Sequence, residues 1–249
     1  ARWGGEVTMG LYAAVIFLSA FLLFLIQPLM GKVLLPWFGG GASVWSASMV
    51  FYQVLLLVGH AYSHWITERL PHRKQTWLHL GLLGASVLGT LVTTLMWQGP
   101  LMPSQAWQPH DNVSPLLWIL VVLGVSVGFP YLVLSTTSPL LQRWSIHVAA
   151  DKSDSNPYTL YALSNVGSMI ALLGYPTLVQ PNFELPVQSW LWTAGYGLFA
   201  LGVGVLAWRR GRVTGLLETE VSTERRAGAA PRWPQRLLWL LLSTTASIL

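Results

Sequence analysis

GLYAAVIFLSAFLLFLIQPLMGKVLLPWFGGG, residues Gly10–Gly41, decides the fold. Its first 17 residues, Gly10 to Ile26, carry no charge; Gln27, Pro28, Lys32, Pro36 and three glycines follow. The hydrocarbon core of a bilayer takes about 20 residues of helix, so an uncharged run near that length reads as a transmembrane span. A soluble helix would show a polar stripe every third or fourth position, and this run has none. The polar, helix-breaking cluster after it is expected to close the span near Met30. The run is too long for a cleaved signal peptide, and QPLMGK follows where small residues should mark a cleavage site.

Composition points the same way. Hydrophobic residues make up 53% of the 249 and charged residues 9%, against roughly 25% charged in soluble domains. A soluble protein of this size could not cover its surface with so few charges. The net charge of +5 does not signal nucleic-acid binding, because the basic residues sit in a few loops between apolar runs. The chain has no cysteine, which excludes disulfides, thiol nucleophiles and Cys-ligated zinc.

Six complete spans and the start of a seventh follow from the apolar runs: Gly10–Met30, Ser43–Ile66, Trp77–Trp97, Leu116–Leu141, Tyr158–Val179, Val187–Trp208, then Leu237–Leu249. The predicted fold is an all-α polytopic transmembrane bundle. Residues 1–208 form the bundle, 209–236 a basic cytoplasmic linker, and 237–249 a truncated seventh helix. The last run is too short to span, so the sequence is expected to be a piece of a longer protein. With the N-terminus in the cytoplasm, thirteen of the 14 Lys and Arg fall on the inner side, and the outer side keeps only Lys32. Such a bias in short loops sets orientation. The predicted location is a bacterial inner membrane. Tryptophans gather near the predicted span ends, as rings that favour the headgroup level should. The outer loop Gln98–Ser114, with three prolines and no basic residue, is expected to be irregular and interfacial.

The first span ends in Pro28-Leu-Met-Gly-Lys32 and the fourth in Pro139-Leu-Leu-Gln-Arg143. Three spans separate them, so the two ends face opposite sides of the membrane. Inverted three-plus-three repeats of this kind build each half of major-facilitator transporters.

FLIQPLMGKVLLPWFGGGASVW, FPYLVLSTTSPLLQRW and NPYTLYALSNVGSMIALLGYP resemble the membrane region of the spermidine-synthase-like integral membrane proteins, the major-facilitator/spermidine-synthase fusion family. The resemblance covers most of Gly10 to Leu249. It implies the first half of a major-facilitator-like helix arrangement. That family often carries further helices and a soluble aminopropyltransferase-like domain. Neither lies within these 249 residues, so aminopropyl transfer is not carried over.

A polyamine cargo is resisted by the residues themselves. All nine Asp and Glu lie outside the predicted spans, and a multiply charged amine in the bilayer interior needs carboxylate partners. His60 and His64 sit four apart near the inner end of span two, with His79 at the same level in span three. They are the candidate ligands for a haem, metal or pigment. The preferred reading is interfacial histidines bonded to headgroups, water or neighbouring helices, because no carboxylate or cysteine joins them. No cofactor and no metal site are therefore predicted. Gln27, Lys32, Gln53 and Asn165 are the polar residues for a pathway or for helix packing. Lys32 either snorkels to the outer headgroups or lines a cavity at a bent helix. Ser135, Thr136, Thr137 and Ser138 are expected to serve helix packing, since hydroxyls beside Pro139 can re-satisfy freed carbonyls, with a polar ligand site as the alternative. The spacings Gly124-x-x-x-Gly128, Gly81-x-x-x-Ala85 and Ala200-x-x-x-Gly204 suggest close helix contacts. Gly39-Gly40-Gly41 has neither a preceding strand nor a following Gly-Lys-Ser/Thr, so it is not a phosphate loop.

The expected function is a non-catalytic membrane module that scaffolds, anchors or regulates a partner, with the bilayer and other membrane subunits as its contacts. Half of a transporter for a small neutral or anionic solute is the alternative. A cofactor-binding subunit using His60 and His64 is a third.

Overall fold

The structure, a computed structural model, describes residues 2–97, 99–109, 114–149 and 157–217, with side chains over 8–97, 99–109, 114–145 and 158–209. Helices α1 (Arg2–Phe38), α2 (Ala42–Arg69) and α3 (His72–Met96) come first. Helix α4 joins Pro115–Leu123, a π-helical turn Gly124–Gly128 and Phe129–Ala149 into one rod. Helix α5 likewise joins Pro157–Gly174, a π turn Tyr175–Val179 and Gln180–Asn182, and α6 runs Leu185–Leu217. Among the described residues there is no strand, and six helices are long and apolar enough to cross a membrane. The protein is an all-α integral membrane bundle. The bundle belongs to a unit of residues 1–211. A second unit, 212–249, is described only as far as its helical residues 212–217; the predicted seventh span and most of the linker lie outside the described residues.

Several helices overrun the predicted spans, among them α3 from His72 and α4 to Ala149; the ends of α1 and α6 bear on the expected polar break and linker. Helix α1 does not stop at Met30; it continues through Pro28 and Pro36 to Phe38. A proline removes one backbone bond and crowds the carbonyl four back, but surrounding helices make that tolerable in a membrane. The stop is Gly39, at φ +74, whose N–H reaches the Leu35 carbonyl at 2.9 Å. That is a left-handed glycine cap, a backbone state that costs other residues. Helix α6 continues past Trp208 to Leu217, so the first residues of the expected linker are helical. The π turns of α4 and α5 also lie at prolines, Pro130 just after the first and Pro176 within the second. A widened turn accommodates the missing N–H and the ring.

Helices α1 and α4 form the core: half of each membrane-spanning window is buried (50%), against 17–33% for the others. The most extensive packing pairs α1 with α5, α2 with α4, and α1 with α4. Helix α3 packs on α4, and α6 leans on α1, where Trp192 Nε1 donates to the Leu22 carbonyl at 2.9 Å. Exchanging each helix for the one three further along turns the α1–α5 contact into α4–α2, and α6–α1 into α3–α4. The packing thus has the pattern of two related three-helix units.

Close approach is achieved by glycines other than those the spacings suggested. A Cβ on Gly167 of α5 would sit 2.8 Å from the Phe17 carbonyl oxygen of α1. One on Gly59 of α2 would run into Ser135 of α4. A Cβ on Gly81, Gly124 or Gly204 would meet nothing within 4 Å, and one on Gly128 would make only ordinary contact with Phe51. Small residues were right as the device, since backbone contact drives helix association in lipid; the spaced pairs were the wrong instances.

The loop after α3 is more than interfacial. Leu101 is fully buried with a φ of +61, Trp97 and Pro103 are buried, and Gln105–Trp107 make a 3₁₀ turn. Trp107 meets Trp97 edge-on and Trp118 at a tilt, at ring separations of 5.8 and 6.2 Å, and its carbonyl accepts from Trp118 Nε1. Trp144 and Trp192 depart from the belt pattern: both are buried, their N–H groups used inside the bundle.

Candidate functional site

Helix α3 turns its polar side inward. Gln75, His79, Ser86 and Thr90 are buried, while Trp77, Leu88, Leu91 and Leu95 face out. This inverts a soluble helix, as a lipid solvent requires. Three of the four bond across the bundle. Gln75 Oε1 accepts from Trp144 Nε1 at 3.1 Å, and Gln75 Nε2 donates to the Leu70 carbonyl at 2.9 Å. Ser86 Oγ pairs with Tyr196 OH of α6 at 2.7 Å. His79 Nε2 lies 3.1 Å from Thr137 Oγ1.

The tautomer of His79 follows from its partner. The Thr137 hydroxyl gives its hydrogen to the Val133 carbonyl at 2.6 Å, so its oxygen accepts, and His79 Nε2 carries the proton. The imidazole and the Trp144 ring stand nearly perpendicular, 6.2 Å apart, and Tyr62 lies 6.4 Å off. His79 Nδ1 and the Tyr62 hydroxyl are both buried without a partner among the described residues.

His60 and His64 belong elsewhere. Both are exposed on α2, whereas His79 is buried against α4, so the three expected together do not share a site. Their burial differs because His79 falls on the polar, inward stripe of α3 and the α2 pair on an outward one. His60 Nδ1 is 2.8 Å from the Leu56 carbonyl. A carbonyl only accepts, so this nitrogen holds the hydrogen and Nε2 is left with its lone pair. Among the described residues no three of His, Cys, Asp and Glu gather to hold a metal.

Of the expected polar-pathway residues, Gln27 is half-buried and donates to Tyr131 OH at 3.2 Å. The Tyr131 ring lies 5.0 Å from that of Tyr52, whose buried hydroxyl has no partner among the described residues. Lys32 is half-buried, and no hydrogen bond or ion pair holds its ammonium among the described residues. Gln53 and Asn165 are exposed on α2 and α5. The structure therefore brings Gln27 together with two tyrosines and leaves Gln53 and Asn165 on outward faces.

The chain was compared with models of protein families, with curated proteins and with solved structures. Nothing matches.

The hydroxyls before Pro139 serve helix packing, Ser135 reaching α2 and Thr137 meeting His79 of α3, but they do not re-satisfy the freed carbonyl. Ser135 donates to the Leu132 carbonyl and more distantly to Leu55 of α2, while Thr136 and Thr137 donate to Val133. The carbonyl that Pro139 frees is that of Ser135, and none of these hydroxyls donates to it. The two acids with described side chains lie at helix ends, where Glu68 pairs with Arg143 at 3.1 Å on the surface and Glu184 precedes α6. Sequence reasoning missed Gln75, Ser86, Tyr52 and Tyr131. For α3 a signal was present: polar residues at 75, 79, 86 and 90 keep to one helical face of an otherwise apolar run.

Proposed function

We propose that the bundle is a non-catalytic membrane module that associates laterally with another membrane-embedded protein segment. One observation carries this reading. Gln53 and Asn165 expose carboxamides on outward faces of spanning helices. Apolar side chains border them, Val50, Val54 and Leu57 on α2 and Val166, Met169 and Ile170 on α5. A primary amide turned to hydrocarbon loses its hydrogen bonds to water, and an interhelical partner restores them, worth about 0.6–2 kcal/mol per contact in membranes.

A photo-crosslinking residue at position 53 or 165, in native membranes, should give a protein adduct. One at Leu88, exposed on α3 among apolar residues, should give none. Adducts absent at both amide positions would overturn the reading.

A second reading rests on the exchange pattern of the packing. Related three-helix units are the architecture of major-facilitator halves, and the resemblance noted above points the same way. Under that reading Lys32, half-buried and without a partner among the described residues, would meet a small anionic solute beside Gln27, and the basic loops would face a bacterial cytoplasm. Lys32→Met would then abolish uptake with assembly intact. The association reading expects the reverse: an unchanged phenotype for Lys32→Met, and weakened assembly for Gln53→Leu.

A further inference from the structure

The geometry points to a divalent transition-metal site at His60 and His64, a two-imidazole chelate on the exposed face of α2, taking Zn²⁺, Cu²⁺ or Ni²⁺. It rests on two side chains of a single helix and is independent of the association reading.

Spacing comes first. Residues four apart on a helix lie one above the other, with Cβ atoms about 5–6 Å apart. Two histidines at this separation on a helix are the pair that binds zinc in the His-Glu-x-x-His arrangement. Here the run is His60-Ala61-Tyr62-Ser63-His64, so the ligand spacing is present and the catalytic glutamate is not. The inferred site holds a metal without the base that would make it hydrolytic.

The second observation is the state of the His60 ring. Its Nδ1–H donates to the Leu56 carbonyl at 2.8 Å, which orients the ring and makes Nε2 the ligating nitrogen of the neutral imidazole. Metal-bound histidines almost always show this arrangement, one nitrogen donating to a carbonyl or carboxylate and the other ligating. His64 is exposed and no hydrogen bond engages its ring among the described residues. Neither side chain is needed by the fold, since both point away from the core.

Position allows an ion to arrive. Helix α2 ends at Arg69, five residues after His64, which places His64 roughly 7 Å from the helix end at 1.5 Å per residue. A headgroup layer is about that deep, so a hydrated cation reaches His64 without crossing hydrocarbon, and His60 lies one turn further in. Imidazole donors favour zinc, copper and nickel over calcium or magnesium. The chain has no cysteine to draw the preference toward thiolate-bound ions. Two protein ligands leave further positions for water or for a donor from another molecule.

The test uses the full chain, purified without a histidine tag and stripped of metal, titrated with Zn²⁺ by calorimetry. One ion per chain is expected. His60→Ala and His64→Ala should each weaken binding by roughly tenfold or more. Leu57 is 71% exposed, and Leu57→His should restore binding to the His64→Ala chain, because 57 and 60 are also neighbours on the helix. Circular dichroism of each variant should be unchanged, since the pair lies outside the core. No zinc binding by the wild type would overturn the site, as would binding unchanged when both histidines are replaced.

Discussion

The carbonyl oxygen of Phe17 leaves no room for a side chain at Gly167, and that contact shows how tightly single residues specify this bundle. A methyl group there meets backbone, which cannot swing aside, so α5 would have to back away from α1. Gly167→Ala is expected to cost about 1–3 kcal/mol, the usual range for overpacking. Gly81→Ala, with nothing near its added carbon, should be neutral or slightly stabilising, since alanine is the better helix former. Thermal unfolding in detergent separates the two; equal midpoints would refute the packing role. Hydrogen bonding gives a parallel case at Thr137. Replacing it with valine keeps the shape but leaves His79 Nε2–H without its acceptor, a loss of about 1 kcal/mol in membrane proteins. Thr177→Val removes only an exposed bond to the Leu173 carbonyl and should change stability by less than about 0.5 kcal/mol. At this scale the sequence was least legible. It showed that small and hydroxylated residues would make the contacts, but a glycine that packs and one that faces lipid look alike in a chain apolar on every side.

Elements were read more surely than contacts. At the first span the prolines were given too much weight, although spans four and five were read straight through Pro130, Pro139 and Pro176. In α1 the chain runs through Pro28 and Pro36 and stops only where Gly39 takes a positive φ. The cap therefore carries the stop, and Gly39→Ala is expected to cost about 1–2 kcal/mol through its left-handed backbone. Pro36→Ala should leave the helix end in place, which protease or hydrogen-exchange mapping around residues 36–42 would report. Movement of the boundary in Pro36→Ala, with Gly39→Ala silent, would reverse the assignment. Helix α3 teaches a complementary lesson. Its span was visible from its apolar run, and its inner face was also written in the sequence, in the register of Gln75, His79, Ser86 and Thr90. The polar stripe marks the core side of a membrane helix, so the residues worth following were the few polar ones. Helix α2 departs from that rule, for its Gln53, His60 and His64 face outward.

For the whole molecule, span number was legible and helix adjacency was not. Bilayer thickness imposes a length on every crossing, so each of the six predicted spans overlaps a helix of membrane-spanning length. Which helices touch depends on fine packing between surfaces that are all apolar, and composition carries little of that. The short likeness between the ends of spans one and four was the exception: it links α1 and α4, the two helices that the structure buries most. Orientation rests on charge alone. Thirteen of the 14 Lys and Arg lie beyond the predicted spans on one side of a six-crossing chain, and Lys32 stands alone on the other. A chain without cysteine permits a direct measurement. A cysteine replacing Gln105, which is exposed in the loop after α3, should react with an impermeant maleimide on intact cells. A cysteine replacing Ser222, after the sixth span, should react only once the membrane is opened, because an even number of crossings returns the chain to its starting side and an odd number does not. Labelling of both from outside would remove at least one crossing between them and with it the charge asymmetry. Labelling of Ser222→Cys alone would keep every crossing and invert the whole bundle, placing the basic loops outside against the bias that sets membrane topology.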